Sequence, residues 1–174
     1  MLAVGLFILG AILGSFASAL AYRLPRGENW VSDRSRCPEC GATIRARDNV
    51  PIVSWLFLRG RCRDCSGPIS VRYPLVEAGL GALFAATYLI VGDDPWWRLA
   101  LGLVLCFVLI TITLTDLDLR VIPNMVVLAG ALTAVALVAI GDADELPEHA
   151  IAAAAAGGAL FLVAIAYPRG MGMG

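Results

Sequence analysis

Long apolar runs separated by short polar connections make up most of this 174-residue sequence. Each run is close to or above the length of about 20 apolar residues that a helix needs to cross a hydrocarbon core of roughly 30 Å. The runs are residues 1–22, 74–92, 97–115, 121–140 and 149–167. Between the first two lies a polar stretch long enough to fold as a separate unit. The pattern therefore predicts an all-α polytopic membrane protein of five transmembrane helices with one small polar loop.

The same pattern divides the chain into a first transmembrane helix at 1–22, a polar loop at 23–73 and a transmembrane core at 74–174. Composition agrees with this division, because 59% of the residues are hydrophobic and the mean hydropathy is +0.80. Such values are typical of membrane proteins. The net charge of −1 gives no indication of a nucleic-acid partner. The lipid bilayer is therefore the partner that the composition predicts.

Basic residues are concentrated in the polar loop, where ten of the 13 lie between Arg23 and Arg72. Lys and Arg are enriched in cytoplasmic connections, so the loop is predicted to be cytoplasmic and the N-terminus to face outward. Ala17-Ser18-Ala19 is similar to the cleavage site of a signal peptide. No basic residue precedes the first apolar run, however, which favours a retained helix.

Two C-x2-C pairs lie in the polar loop, Cys37 with Cys40 and Cys62 with Cys65. Their separation of 21 residues is typical of zinc sites with four thiolate ligands. Each pair is expected to lie in a tight turn, for which Gly41 and Gly67 supply backbone freedom. Disulfides or unlinked thiols are the alternatives, but a cytoplasmic loop is kept reduced. A small loop with few core-forming side chains also needs a structural metal to fold. A structural Zn²⁺ with no open coordination position is therefore predicted.

Two aspartates, Asp116 and Asp118, follow the third apolar run at the predicted membrane boundary. Carboxylates at such depths are costly and often functional, although one at a helix end can also reach interfacial water. Position alone leaves both interpretations open. Two residues along a helix rotate the side chain by about 200°, so the two carboxylates are expected to point to different faces.

Several motifs, in order along the chain, resemble those of bacterial prepilin leader peptidases. The segment TDLDLRVIPN at 115–124 fits that family's D-x-D-x-x-x-[IL]-P-[DN] pattern. Further matching segments are GSF at 14–16, YRLP at 22–25, the paired cysteines, NVPIVSW at 49–55, GRC at 60–62 and RYPLVE at 72–77. The resemblance covers essentially the whole chain.

This resemblance implies a bifunctional enzyme of the bacterial inner membrane. Such an enzyme cleaves the leader from type IV prepilins or pseudopilins, which serve pili, type II secretion or DNA uptake. It then methylates the new N-terminus with S-adenosylmethionine. Cleavage belongs to an aspartic, intramembrane-type protease, in which Asp116 matches the first catalytic aspartate and Asp118 is the weaker candidate. Glu77, at the start of the second run, is interpreted as a helix cap or interfacial group in preference to a ligand for the substrate amine.

The family's second catalytic aspartate belongs to a G-x-G-D motif, whereas this sequence stops at Gly170-Met171-Gly172-Met173-Gly174. The sequence therefore predicts a chain that is incomplete at its C-terminus, with half of the catalytic dyad and no peptidase activity of its own. One alternative is a protein that retains only the methylation activity. The other is a non-catalytic, zinc-stabilised membrane scaffold or degenerate paralogue that binds pilin without cutting it.

Overall fold

In a computed structural model, residues 1–30 and 34–166 are described. Within these ranges the chain forms helices and turns and no extended strand. The α-helices are α1 (Leu2–Arg23), α2 (Val53–Phe57), α3 (Arg72–Val91), α4 (Trp96–Leu119), α5 (Asn124–Gly141) and α6 (Leu146–Ala166). All of these except the short α2 are long and apolar enough to cross a membrane. The predicted all-α fold with five candidate spans is confirmed.

The connection between α4 and α5 differs from the predicted one. Helix α4 continues to Leu119, past the predicted end at residue 115, and α5 begins at Asn124 rather than at 121. Arg120 ends α4 in the left-handed conformation, with φ 54° and ψ 40°, and its amide donates to the Asp116 carbonyl. Pro123 then disfavours a helical conformation in the residue before it. Both aspartates therefore lie in the last turn of α4, inside the helix.

Helices α1 and α3 pack so closely that glycine is required where they cross. A Cβ atom on Gly10 would lie 2.7 Å from the Cα of Gly81, and one on Gly14 would lie 2.8 Å from the Cα of Glu77. Small residues spaced four apart allow two helix backbones to approach in this way. The crossing fixes the depth of Glu77 relative to α1.

The buried core of the helical part lies among α1, α3 and α4. One cluster joins Leu6 of α1 to Leu80 and Phe84 of α3, and a second joins Ala17 of α1 to Leu114 of α4. Helix α5 packs on α4, whereas no residue of α6 is buried. The end of α4 that carries the aspartates is therefore positioned by both α1 and α3.

Candidate functional site

The two cysteine pairs lie in turns with the same hydrogen-bonding pattern. In the first turn, the Cys37 amide donates to the Ala42 carbonyl and the Gly41 amide donates to the Cys37 carbonyl, both at 2.9 Å. The second turn repeats these two bonds 25 residues later, at 2.8 and 3.0 Å. An isolated antiparallel bridge follows in each, at Thr43 and at Pro68. The loop therefore contains two copies of one cysteine turn, residues 36–43 and 61–68, each of which is called a knuckle.

One detail of the predicted turns is wrong. Gly41 has the expected positive φ, of 70°, but the equivalent residue of the second knuckle is Ser66, with φ 60°, and not Gly67. The repeat explains this, because the amide of this residue must turn back to the carbonyl of the first cysteine. The left-handed conformation belongs to that place in the turn, whichever residue occupies it. Ser66 therefore carries backbone strain that Gly41 does not.

The knuckles bring the four sulfur atoms of the loop together. All of them lie within 4.8 Å of one another, and the sulfurs of Cys37 and Cys65 are 3.8 Å apart. Sulfurs bound tetrahedrally to zinc at about 2.3 Å are separated by about 3.8 Å. No cysteine is in a disulfide, and Cys106 lies apart in α4, 3.7 Å from the hydroxyl of Thr87. The cluster can therefore hold one zinc ion through four thiolates.

The acidity of the thiols reflects this crowding. Hydrogen bonds from the backbone amides of Cys40 and Glu39 lower the pKa of Cys37 to about 7. The Gly67 amide acts in the same direction on Cys65, but burial and the neighbouring thiols together raise its pKa to about 12. Four thiols this close cannot all lose their protons without a cation to offset the charge. The site therefore favours a divalent metal with thiolate ligands.

An ion pair joins the second knuckle to the chain between the knuckles. The guanidinium of Arg63 donates to both carboxylate oxygens of Asp48, at 2.9 and 2.6 Å. The Asp48 side chain is only 9% exposed, and the Arg63 guanidinium holds its pKa below the usual value. A longer pair, between Arg45 and Asp64 at 3.8 Å, runs alongside. These contacts cross-link the loop through side chains other than the four cysteines.

A strained turn docks the loop on α3. The Val53 amide donates to the Pro51 carbonyl and closes a γ-turn around Ile52, which has φ 62° and ψ −53°. This conformation is rare, and especially so for a β-branched residue. The Ile52 amide donates to Oε2 of Glu77 at 2.6 Å, and Glu77 is only 7% exposed. A buried carboxylate from the helix therefore holds the strained backbone of the loop.

The interpretation of Glu77 as a helix cap or interfacial group is therefore wrong. Because α3 begins at Arg72, Glu77 lies in its second turn and faces the loop and α1. A second anchor lies further along the loop, where the Trp55 indole donates to the Ile69 carbonyl at 3.0 Å. Glu77 is a structural link that the sequence pattern alone did not identify.

The two aspartates of α4 have different surroundings, as their spacing predicts. Asp118 pairs with Arg72 of α3 at 2.5 Å, and the same guanidinium donates to the Leu114 carbonyl at 3.2 Å. Asp116 is exposed, and its carboxylate makes no hydrogen bond or ion pair to any residue in the described part of the chain. Of the two acids, Asp116 is therefore the one whose carboxylate is not bound by another described residue. The glycine-rich segment Gly170–Gly174, which precedes the expected position of the second aspartate, lies outside the described residues.

Comparison of the sequence with known proteins identifies a family. A family model described as the Bacterial Peptidase A24 N-terminal domain matches residues 8–91. A second, described as the Type IV leader peptidase family, matches residues 103–174. The first match covers the cysteine loop and Glu77, and the second covers both aspartates. No solved structure matches the chain.

Curated relatives agree with the family models. Proteins named prepilin leader peptidase/N-methyltransferase are 43% identical in Myxococcus xanthus, over 79% of this chain and 40% of the relative, and 34% identical in Aeromonas hydrophila, over 70% and 50%. An Escherichia coli protein named type 4 prepilin-like proteins leader peptide-processing enzyme is 40% identical, over 67% and 49%. The chain spans half or less of the length of these relatives. It belongs to the type IV leader peptidase family.

Proposed function

We propose that this chain is part of an enzyme that removes the leader peptide from type IV prepilins or pseudopilins and then methylates the new N-terminus. The observation that carries the proposal is the exposed Asp116 carboxylate in the last turn of α4, which has no partner among the described residues. Its neighbour Asp118 is occupied by Arg72. Membership of the family and the names of the relatives support the same activity.

In this proposal, Asp116 is one member of an aspartic dyad. Two close carboxylates share one proton, so that one activates water while the other donates to the scissile carbonyl. The partner acid is the aspartate that the family carries in its G-x-G-D motif. Asp118 is not that partner, because it points to α3 and is bound there to a cation. Asp116 therefore acts together with an acid from another part of the enzyme.

The cysteine cluster would hold zinc in a structural role. Cys37, Cys40, Cys62 and Cys65 would fill all four tetrahedral positions, so no position would remain for water or substrate. The four cysteines would therefore contribute to the reaction only indirectly, because the knuckles shape a loop that docks on α3 through Glu77. Methylation additionally requires S-adenosylmethionine, which supplies the methyl group.

The loop would lie on the cytoplasmic side of the inner membrane, with the N-terminus of α1 outside. The concentration of arginine between Arg23 and Arg72 supports this orientation. A cysteine introduced at Trp30 should react with an impermeant maleimide in inverted vesicles and not in intact cells. Reaction from outside intact cells would overturn the orientation of every later span.

The activity is tested by incubating the purified, complete gene product with a prepilin in detergent and following the substrate by mass spectrometry. Loss of the leader is expected first. A further gain of one methyl group is expected only when S-adenosylmethionine is present. Methylation of a pre-cleaved pilin without any leader removal would favour a methyltransferase alone. Binding of prepilin with neither reaction would favour the non-catalytic scaffold.

A further inference from the structure

Arg72 contacts the end of α4 at two points, one on each side of Asp116. Its Nη1 atom donates to the Asp118 carboxylate at 2.5 Å, and its Nη2 atom donates to the Leu114 carbonyl at 3.2 Å. These two residues lie two positions after and two positions before Asp116. A single side chain from α3 therefore brackets the turn that carries the exposed acid.

Leu114 and Thr115, just before the last turn of α4, are buried, whereas the last turn itself has little besides Arg72 to hold it. The helix ends at Leu119 with Arg120 in the left-handed conformation, and terminal turns fray unless other groups bind them. The residues from Asp116 to Arg120 are all exposed in the described structure. Because the Asp116 carboxylate makes no bond of its own to the described residues, its position depends entirely on the backbone of this turn.

The guanidinium of Arg72 is suited to holding two groups of the α4 end at once. Arginine presents several N–H groups in a planar fork and can bind a carboxylate and a carbonyl at once, whereas the single ammonium of lysine cannot span both in the same geometry. The pair also neutralises Asp118, which leaves Asp116 as the acid in this turn with no cationic partner among the described residues.

We propose that Arg72 is a positioning residue for Asp116: it holds the last turn of α4 against α3 and keeps Asp118 bound, so that Asp116 is presented at a fixed place. This inference rests on the proposed function and adds a residue to it. It also separates the roles of the two aspartates, with Asp116 reacting and Asp118 anchoring.

A positioning role and a merely stabilising role predict different results. Arg72 and Asp118 are 43% and 33% exposed, and ion pairs this exposed contribute little to stability. Misplacement of a catalytic group by about 1 Å can nevertheless reduce a rate about 100-fold. Arg72→Gln should therefore lower kcat for leader removal by about 10- to 100-fold with KM for prepilin unchanged, while the protein stays folded. Arg72→Lys should lie between this variant and the parent.

Helix α4 offers a matched control at its opposite end. Arg98 is 42% exposed and pairs with Glu145 near the start of α6 at 2.7 Å, so Arg98→Gln removes a similar interhelical ion pair far along the helix from Asp116. It should leave kcat close to that of the parent. Zinc content and the thermal unfolding midpoint should be alike in both glutamine variants, which verifies that both are folded.

Hydrogen–deuterium exchange provides a readout that is independent of activity. Amides in the last turn of α4 should exchange faster in Arg72→Gln than in the parent and in Arg98→Gln. Suppose that the parent is active and that Asp116→Asn inactivates it. An unchanged kcat together with unchanged exchange in Arg72→Gln would then overturn the role of Arg72 and leave the proposed function standing. A complete gene product that does not cleave prepilin would refute the proposed function, and the role of Arg72 with it.

Discussion

Replacing Glu77 with alanine should release the cysteine loop from the transmembrane helices. The bond from the Ile52 amide is short, buried and accepted by a carboxylate, and hydrogen bonds to charged groups contribute about 1.5–3 kcal/mol. The γ-turn at Ile52 costs about 1–3 kcal/mol. The two terms are of similar size, so Glu77 offsets the strain of the turn. Without Glu77, the Ile52 backbone should relax and α2 should move away from α3.

The expected size of the effect follows from the lost bond. A loss of about 1.5–3 kcal/mol raises the population of the open loop about 10- to 150-fold. Trypsin reports this population, because the segment after α2 contains Arg59 and Arg61, and cleavage of a transiently open segment follows its equilibrium population. The zinc-loaded Glu77→Ala protein should therefore be cut about 10- to 150-fold faster than the parent, with the spans uncut.

Two variants control this experiment. Glu77→Gln keeps an oxygen that can accept from the Ile52 amide, so its cleavage rate should lie between those of the parent and the alanine variant. Ile52→Gly adopts a positive φ without strain and should slow cleavage in the Glu77→Ala background. Equal trypsin rates for parent, Gln and Ala would refute the reasoning, as would faster cleavage after Ile52→Gly in that background.

Three further outcomes follow from the loop and the helix crossing. Cys65→Ser should abolish stoichiometric zinc binding, measured by elemental analysis, and speed tryptic cleavage of the loop while leaving the spans inserted; retained zinc would contradict a four-thiolate site. Gly41→Ala and Ser66→Gly should change the free energy of unfolding of the loop, measured by denaturant titration, in opposite directions by about 1 kcal/mol each, because both positions have positive φ; changes of the same sign would contradict the repeat. Gly14→Leu should destabilise the detergent-solubilised protein by about 1–3 kcal/mol or more, whereas Gly5→Leu should be neutral, because a Cβ atom on Gly5 meets no atom within 4 Å; equal unfolding midpoints for both would show that the close α1–α3 crossing is wrong.

Features that depend on local pattern were predictable from the sequence. The five spans follow from the length of the apolar runs, and the meeting of the four sulfurs follows from the spacing of the two cysteine pairs. The different surroundings of Asp116 and Asp118 follow from helix geometry alone. Each of these properties is set by residues close together in the chain or by a pattern with strong chemical constraints.

Contacts between distant segments were not predictable in the same way. Arg72 and Asp118 are 46 residues apart, and neither a periodicity nor a spacing signals that they meet. Glu77 was misjudged because the second span was predicted to begin at residue 74, whereas α3 begins at Arg72 and the loop folds back over its second turn. The left-handed conformation of Ser66 was missed because glycine is the usual signal, and here the repeated turn imposes it on another residue.

The most direct test of the central claim compares leader removal by Asp116→Asn and Asp118→Asn in the complete gene product. Asparagine keeps the shape of the side chain but cannot exchange a proton as a carboxyl group does, and loss of a general acid or base costs about 10²- to 10⁴-fold in rate. Asp116→Asn should therefore abolish detectable cleavage while prepilin still binds, and Asp118→Asn should have the milder effect. Full activity of Asp116→Asn, or loss of cleavage only in Asp118→Asn, would contradict the assignment of Asp116 as the reacting carboxylate.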